Sequence, residues 1–170
     1  GELELVYENT QKDASWPGGP YKNYLRVLVQ AGSKLTGAYV FTNETAPTEA
    51  QAADIMGAAD GIDVFDKVVI AKVGKYVSLE YPVVVNPKQK VKVLITYDLP
   101  VELATAKGSN NYSLVWQKQP GTQNDNVRFM FIPPFGTTIA KHAPEGSVLD
   151  NIYEYKGMLN EDLRVAITYK

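Results

Sequence analysis

The sequence predicts an all-β protein, an antiparallel β-sandwich of immunoglobulin-like general architecture. Three observations carry this prediction. Short runs alternate apolar and polar side chains with a period of two, most cleanly over 90–99 and 162–169. Gly, Pro and Asn clusters punctuate the chain between those runs. A helical pattern occurs once, near 47–58, as an insertion between strands.

The first run, 2–8, places Leu3, Leu5 and Tyr7 on one side of a short strand. A polar loop follows and ends in Trp16-Pro17-Gly18-Gly19-Pro20. Residues 1–20 thus read as an N-terminal strand and loop, and 21–170 as a single sandwich domain. Over 22–30, Leu25, Val27 and Val29 form the inward face, and Tyr24, Arg26 and Leu28 the other. Ala31-Gly32-Ser33-Lys34 turns the chain into a strand at 35–42. These two strands make either a hairpin or a corner between two sheets.

Pro47 opens an Ala-rich run with capping-box spacing, Thr48-x-x-Gln51, which predicts a helix of about two to three turns. Extended runs at 62–71 and 75–85 are split by Gly74. Pro82 within the second predicts an edge strand or an early end, because proline cannot donate to a ladder. Over 90–99, Val91, Val93, Ile95 and Tyr97 face inward, while Lys90, Lys92, Thr96 and Asp98 are expected to face water.

The stretch 110–124 reads as a long strand with Tyr112, Leu114 and Trp116 on one side, then a sharp corner. Pro120-Gly121 suits the centre of a type II turn, where Pro presets φ and Gly accepts φ > 0. Gln117, Gln119 and Gln123 carry amides able to bond the backbone where the strand leaves its ladder. Residues 127–132 form the return strand, halted by Pro133-Pro134. A short strand at 136–143, an edge strand at 148–155, a turn at 157–161 and a last strand at 162–169 complete the chain.

Composition narrows the function classes. The chain has 170 residues, enough to bury roughly 70% of its unfolded surface without staples. Its 17 basic and 19 acidic residues give a net charge of −2, which argues against nucleic acid or an anionic membrane as partner. There is no cysteine, so disulfides, thiolate catalysis and Cys-bound metals are excluded. That inventory suits an exported protein of an organism that avoids disulfides. No apolar run reaches the ~18 residues of a membrane helix. The chain opens abruptly at Gly1-Glu2-Leu3 with no signal peptide, which suggests a piece of a longer protein.

Catalytic chemistry finds little to work with. The single histidine, His142, precedes Ala143-Pro144 and reads as a surface or loop residue. There is no Gly-x-Ser-x-Gly elbow, no His-rich zinc set and no phosphate loop. No cofactor is expected. Asp60, Asp63 and Asp66 are the one grouping that a loop could gather around calcium, though the spacing is not that of an EF-hand. Eleven tyrosines and two tryptophans raise carbohydrate stacking as an alternative. Tyr97, Tyr112, Trp116 and Tyr169 continue apolar rows. The freer aromatics are Trp16, Tyr21, Tyr153 and Tyr155, the candidate ligand-binding residues. Trp16 has a second reading, as a lid over the sandwich edge.

Four sets of blocks stand out: Asn23-Tyr24-Leu25-Arg26-Val27 with Ala31-Gly32-Ser33-Lys34-Leu35; Tyr97-Asp98-Leu99-Pro100; Tyr112-Ser113-Leu114-Val115-Trp116-Gln117-Lys118-Gln119-Pro120-Gly121-Thr122; and Asp162-Leu163-Arg164-Val165. They resemble the C-terminal region of a family of large, membrane-anchored, uncharacterised bacterial envelope proteins, a domain of unknown function. The long third block is the most specific. The stretch 82–87 and the helical insertion depart from the family's pattern. The resemblance implies an extracytoplasmic domain, tethered at the cell surface by a membrane helix elsewhere in a longer chain. The family brings no catalytic residues, so none are carried over. The expectation is a non-enzymatic envelope domain with a structural or protein-binding role. A surface carbohydrate-binding module is the alternative.

Overall fold

The computed structural model describes residues 1–16, 18–42, 62–100, 110–119, 121–122 and 124–170. The helix expected near 47–58 lies outside them. The regular structure of the described chain is almost entirely strand, antiparallel throughout, as the alternation leads one to expect. No helix of the described residues is long and apolar enough to cross a membrane.

The sequence led us to expect one sandwich over 21–170, with 1–20 apart. Instead, the chain gathers into two compact units, Gly1–Pro100 and Val101–Lys170. The physical reason is pairing. Every described strand of the first hundred residues finds its ladder partners there, and the N-terminal strand is built into a sheet.

In the first unit, β1 (Glu2–Glu8), β7 (Lys90–Asp98), β3 (Lys34–Thr42) and β4 (Ile62–Asp63) form one sheet in that order. β2 (Tyr21–Gln30), β6 (Tyr76–Val85) and β5 (Val69–Val73) form the other. β2 and β3 therefore turn a corner between sheets through Gly32, whose φ of 93° only glycine adopts cheaply. The sheets pack through Leu25 and Val29, Leu79, Val83 and Val85, Ala38 and Val40, and Val91, Val93 and Ile95. Leu5, Tyr7 and Tyr97 pack against that core, so the inward rows read from sequence on β1, β2 and β7 agree with it.

Three expectations change here. Ile62 to Ala71 is not one strand: a 3₁₀ turn, Phe65–Lys67, separates β4 from β5. β6 is central, not an edge, yet β5 ends at Val69 opposite Glu80, so Pro82 lies on the part of β6 that β5 does not cover. Lys92 is not wet. Only 4% of it is exposed, because β7 lies between β1 and β3 and its second face is covered as well. The Lys92 ammonium reaches Glu4 at 3.3 Å.

In the second unit, β10 (Ile139–Ala143), β13 (Leu163–Tyr169) and β8 (Asn110–Trp116) form one sheet. β11 (Ser147–Leu149), β12 (Ile152–Leu159) and β9 (Asp125–Phe131) form the other. Their shared core is Tyr153, Val165 and Ile167, ringed by Tyr112, Leu114, Phe129, Phe131, Tyr155 and Leu163. The edge strand expected at 148–155 is a hairpin. Asp150 and Asn151 both take positive φ, at 49° and 63°, which is the type I′ requirement for a two-residue loop. The Asn151 side chain also ties down the neighbouring loop, accepting from Ile139 N at 3.0 Å and donating to Thr137 O at 2.8 Å. The Ala143-Pro144 peptide is cis.

At the corner after β8, Gly121 has φ of 86°, as its sequence position demands. Pro120 and Gln123 fall outside the described residues. A feature not read from sequence is Lys118, whose ammonium donates to Gln119 O at 2.8 Å, to Thr122 Oγ1 at 2.7 Å and to Thr122 O. Its backbone N donates to Asp162 Oδ1 at 2.9 Å. Lys118 thus closes this loop from within.

Candidate functional site

The solvent face of the β2–β6–β5 sheet carries more large apolar side chains than a wet sheet face should. Alternation sends Leu25, Val27 and Val29 into the core and leaves Lys22, Tyr24, Arg26, Leu28 and Gln30 outside. Register then fixes the rows. Tyr24 lies opposite Pro82, Arg26 opposite Glu80, Leu28 opposite Ser78 and Gln30 opposite Tyr76. On the far side, Val69, Ala71 and Val73 of β5 line up with Glu80, Ser78 and Tyr76. The face thus exposes Tyr24, Leu28, Val69, Val73, Tyr76 and Val84 together. Scattered exposed apolar residues are ordinary, but a contiguous group marks an interaction surface.

A charge cluster lies at the centre of this face. Glu80 Oε1 accepts from Ser78 Oγ at 2.7 Å and Arg26 Nε at 3.1 Å, and Oε2 accepts from Tyr24 Oη at 2.9 Å. The Glu80 side chain is only 13% exposed. The Ser78 hydrogen bond, then that of Tyr24, holds the Glu80 carboxyl below its usual range. The same bond to Glu80 pushes the Tyr24 phenol up. Arg26 is fixed through Nε, and the terminal nitrogens of its guanidinium have no partner among the described residues. A half-exposed arginine fork held between tyrosine and leucine has the composition of a protein-contact hot spot.

The geometry suits sugar stacking less well. Tyr24 and Tyr76 lie three register rows apart, on the order of 20 Å along the strands at ~3.4 Å per residue. The Arg26–Glu80 pair and Leu28 lie in the interval, so the two rings do not make a continuous platform.

The aromatics singled out in the sequence do not come together. Trp16 is 93% exposed and stacks on no described ring, so it is not a lid over the sandwich edge. The loop that carries it is held by buried Asn9, whose Nδ2 donates to Gly19 O at 2.9 Å and Val85 O at 3.0 Å. Tyr21 leans on Tyr7, with ring centroids 6.2 Å apart. Tyr153 is 0% exposed and cannot stack a ligand. Its hydroxyl donates to Pro144 O at 2.8 Å, and its ring packs on Phe129 and His142. Tyr155 packs on the same core, in space that a Cβ at Gly157 would fill. The reason is that inward positions of β12 alternate through 153, 155, 157 and 159, and β12 is the central strand of its sheet.

Of the three aspartates considered for calcium, Asp60 lies outside the described residues. Asp63 Oδ1 accepts from Phe65 N at 2.8 Å, an Asx-type turn that leads into the 3₁₀ turn. Among the described residues no three carboxylates or histidines are placed to share a metal. His142 lies exposed on β10, with Nδ1 3.3 Å from Pro144 O. An open hollow of about 410 Å³ at the end of β1 and β7 is lined by Gly1, Glu2, Thr36, Thr96, Tyr97 and Asp98. The two threonine hydroxyls there bond each other at 3.0 Å.

The sequence carries a signal for the face: outward positions 24 and 28 of β2 hold Tyr and Leu where a wet face would carry polar side chains. What it could not supply is the register that sets Arg26 against Glu80. No family model, curated protein or solved structure matches this chain.

Proposed function

We propose that this chain is a non-catalytic, extracytoplasmic domain of a bacterial cell-envelope protein, and that it binds a protein partner through the solvent face of β2–β6–β5. The single observation that carries the binding role is the contiguous exposed group Tyr24, Leu28, Val69, Val73 and Tyr76 around the Arg26–Glu80 pair. A surface of this kind is stable when covered, and Arg26 and Tyr24 offer directional contacts at its centre. The envelope setting rests on the sequence blocks that resemble that family and on the cysteine-free composition. In that setting the chain is tethered by a membrane helix in the remainder of a longer protein. A near-neutral charge supports a partner other than nucleic acid.

The second reading is a carbohydrate-binding module, supported by the exposure of Trp16, Tyr21, Tyr24 and Tyr76. A glycan array separates the two. Glycan binding that disappears in both Tyr24→Ala and Tyr76→Ala establishes the carbohydrate reading. A photo-reactive residue at Leu28 that captures a discrete protein in the native cell establishes the protein reading.

A further inference from the structure

The third strand of the same sheet has a property that its solvent face does not explain. β5 bonds β6 on one side, and on the other no described strand pairs with it. Val69, Ile70, Lys72 and Val73 are all exposed, and Ala71 is half-buried. On that side the backbone donors and acceptors of β5 have no partner strand among the described residues, and an edge of this kind is a template for a further strand.

The edge is marked by charge. Lys67 lies in the 3₁₀ turn before the strand, Lys72 within it and Lys75 just past its end. Among the described residues none of the three is in an ion pair, and the Lys75 ammonium lies 5.4 Å from the Tyr76 ring. From Val64 to Tyr76 the only carboxylate is Asp66. Lysines on an edge repel a second copy of the same edge, because antiparallel β5–β5 pairing would bring six of these ammonium groups together. The same lysines attract an acidic strand.

The two faces of β5 differ in a way that defines such a strand. Val69, Ala71 and Val73 continue the apolar solvent face, while Ile70 and Lys72 point to the other side. We infer that the free edge of β5 accepts an extended segment of a partner protein that alternates apolar and acidic residues. Its backbone extends the sheet, its apolar side chains lie beside Val69, Ala71 and Val73, and its carboxylates meet Lys72, with Lys67 and Lys75 at the ends. This rests on the protein-binding reading above and names the chemistry and mode of the partner.

The test uses fluorescence polarisation with three labelled heptapeptides: alternating Val-Glu, alternating Val-Lys, and the Val-Glu peptide with alternate amides N-methylated. The Val-Glu probe is expected to bind at least tenfold more tightly than the other two, and to weaken as salt rises. Lys72→Glu, at an exposed position, is expected to reverse the preference between acidic and basic probes, and Lys75→Glu to shift it the same way. Amide resonances of β5 should move on binding. Absence of Val-Glu binding, or binding indifferent to N-methylation and to both charge reversals, overturns the inference. Shifts centred on Tyr24 and Leu28 instead of β5 also overturn it, while leaving the face reading intact. Shifts on β5 with no protein captured at Leu28 would support the edge and remove the face.

Discussion

The Lys92 ammonium lies 4.7 Å from the centroid of the Phe41 ring, across the β3–β7 pair in which the two are register partners. The side chain is 3% exposed, and its second contact is Glu4, which is 41% exposed. Solvent screens that ion pair, so the stem's packing and the ring contact dominate. Lys92→Ala is expected to destabilise the first unit by about 1–3 kcal/mol, the loss of buried stem and ring contact together. Lys92→Met keeps the volume and removes the charge, so it should fall within about 1 kcal/mol of the parent. Urea unfolding followed through amide resonances of the first unit measures both. A silent Lys92→Ala would mean that the outer face of β7 is wet after all.

Much of the fold was legible because burial and alternation coincide. On β7 the inward row Val91, Val93 and Ile95 stands in the sequence as it stands in the core. Lys92 escaped because a lysine at an outward position reads as solvated unless the strand is known to be central. The β11–β12 hairpin escaped because its loop is Asp150-Asn151, with no glycine to announce positive φ. Tyr153 and Tyr155 were read as free although they alternate with Gly157 and Leu159 on one face. Their burial follows from β12 lying between β9 and β11, a fact of long-range pairing that no local window contains. The Arg26–Glu80 pair needs the same kind of information, since register across 54 residues places it.

The corner after β8 makes a sharper test of local backbone chemistry. A Cβ at Gly121 meets nothing within 4 Å, so any penalty there comes from φ of 86° alone. Gly121→Val should therefore cost ~1 kcal/mol or more in the second unit. Lys118→Ala removes the ammonium from Gln119 O and Thr122 and should destabilise the same unit by about 1–2 kcal/mol. Thermal melts of the two variants check this. A Gly121→Val protein that melts with the parent would refute the turn geometry.

Glu80 sets an acid limit on the candidate face. Its carboxyl is held below the usual range in the folded chain, so it binds fewer protons there than in the unfolded chain. The stability it contributes is present above the unfolded pKa of about 4.3 and is lost as pH falls through the folded value. Ser78→Ala removes the largest cause and should move the Glu80 titration upward. Tyr24 has the opposite sign: its raised pKa gives stability below the unfolded value near 10, lost as pH rises through the folded one. Carbon-detected NMR titration of Glu80 in the parent and in Ser78→Ala reads the shift directly. Identical titrations would show that the cluster is not formed in solution.

The central claim is that the β2–β6–β5 face meets a protein. The measurement that tests it most directly is the yield of site-specific photo-cross-linking in the native cell. One probe is placed at Leu28 on that face and another at Val115, an equally exposed apolar position on β8. A discrete protein adduct at Leu28, absent at Val115 and abolished by Arg26→Glu, is the predicted result. Equal yields at the two positions, or no adduct at Leu28, would contradict it.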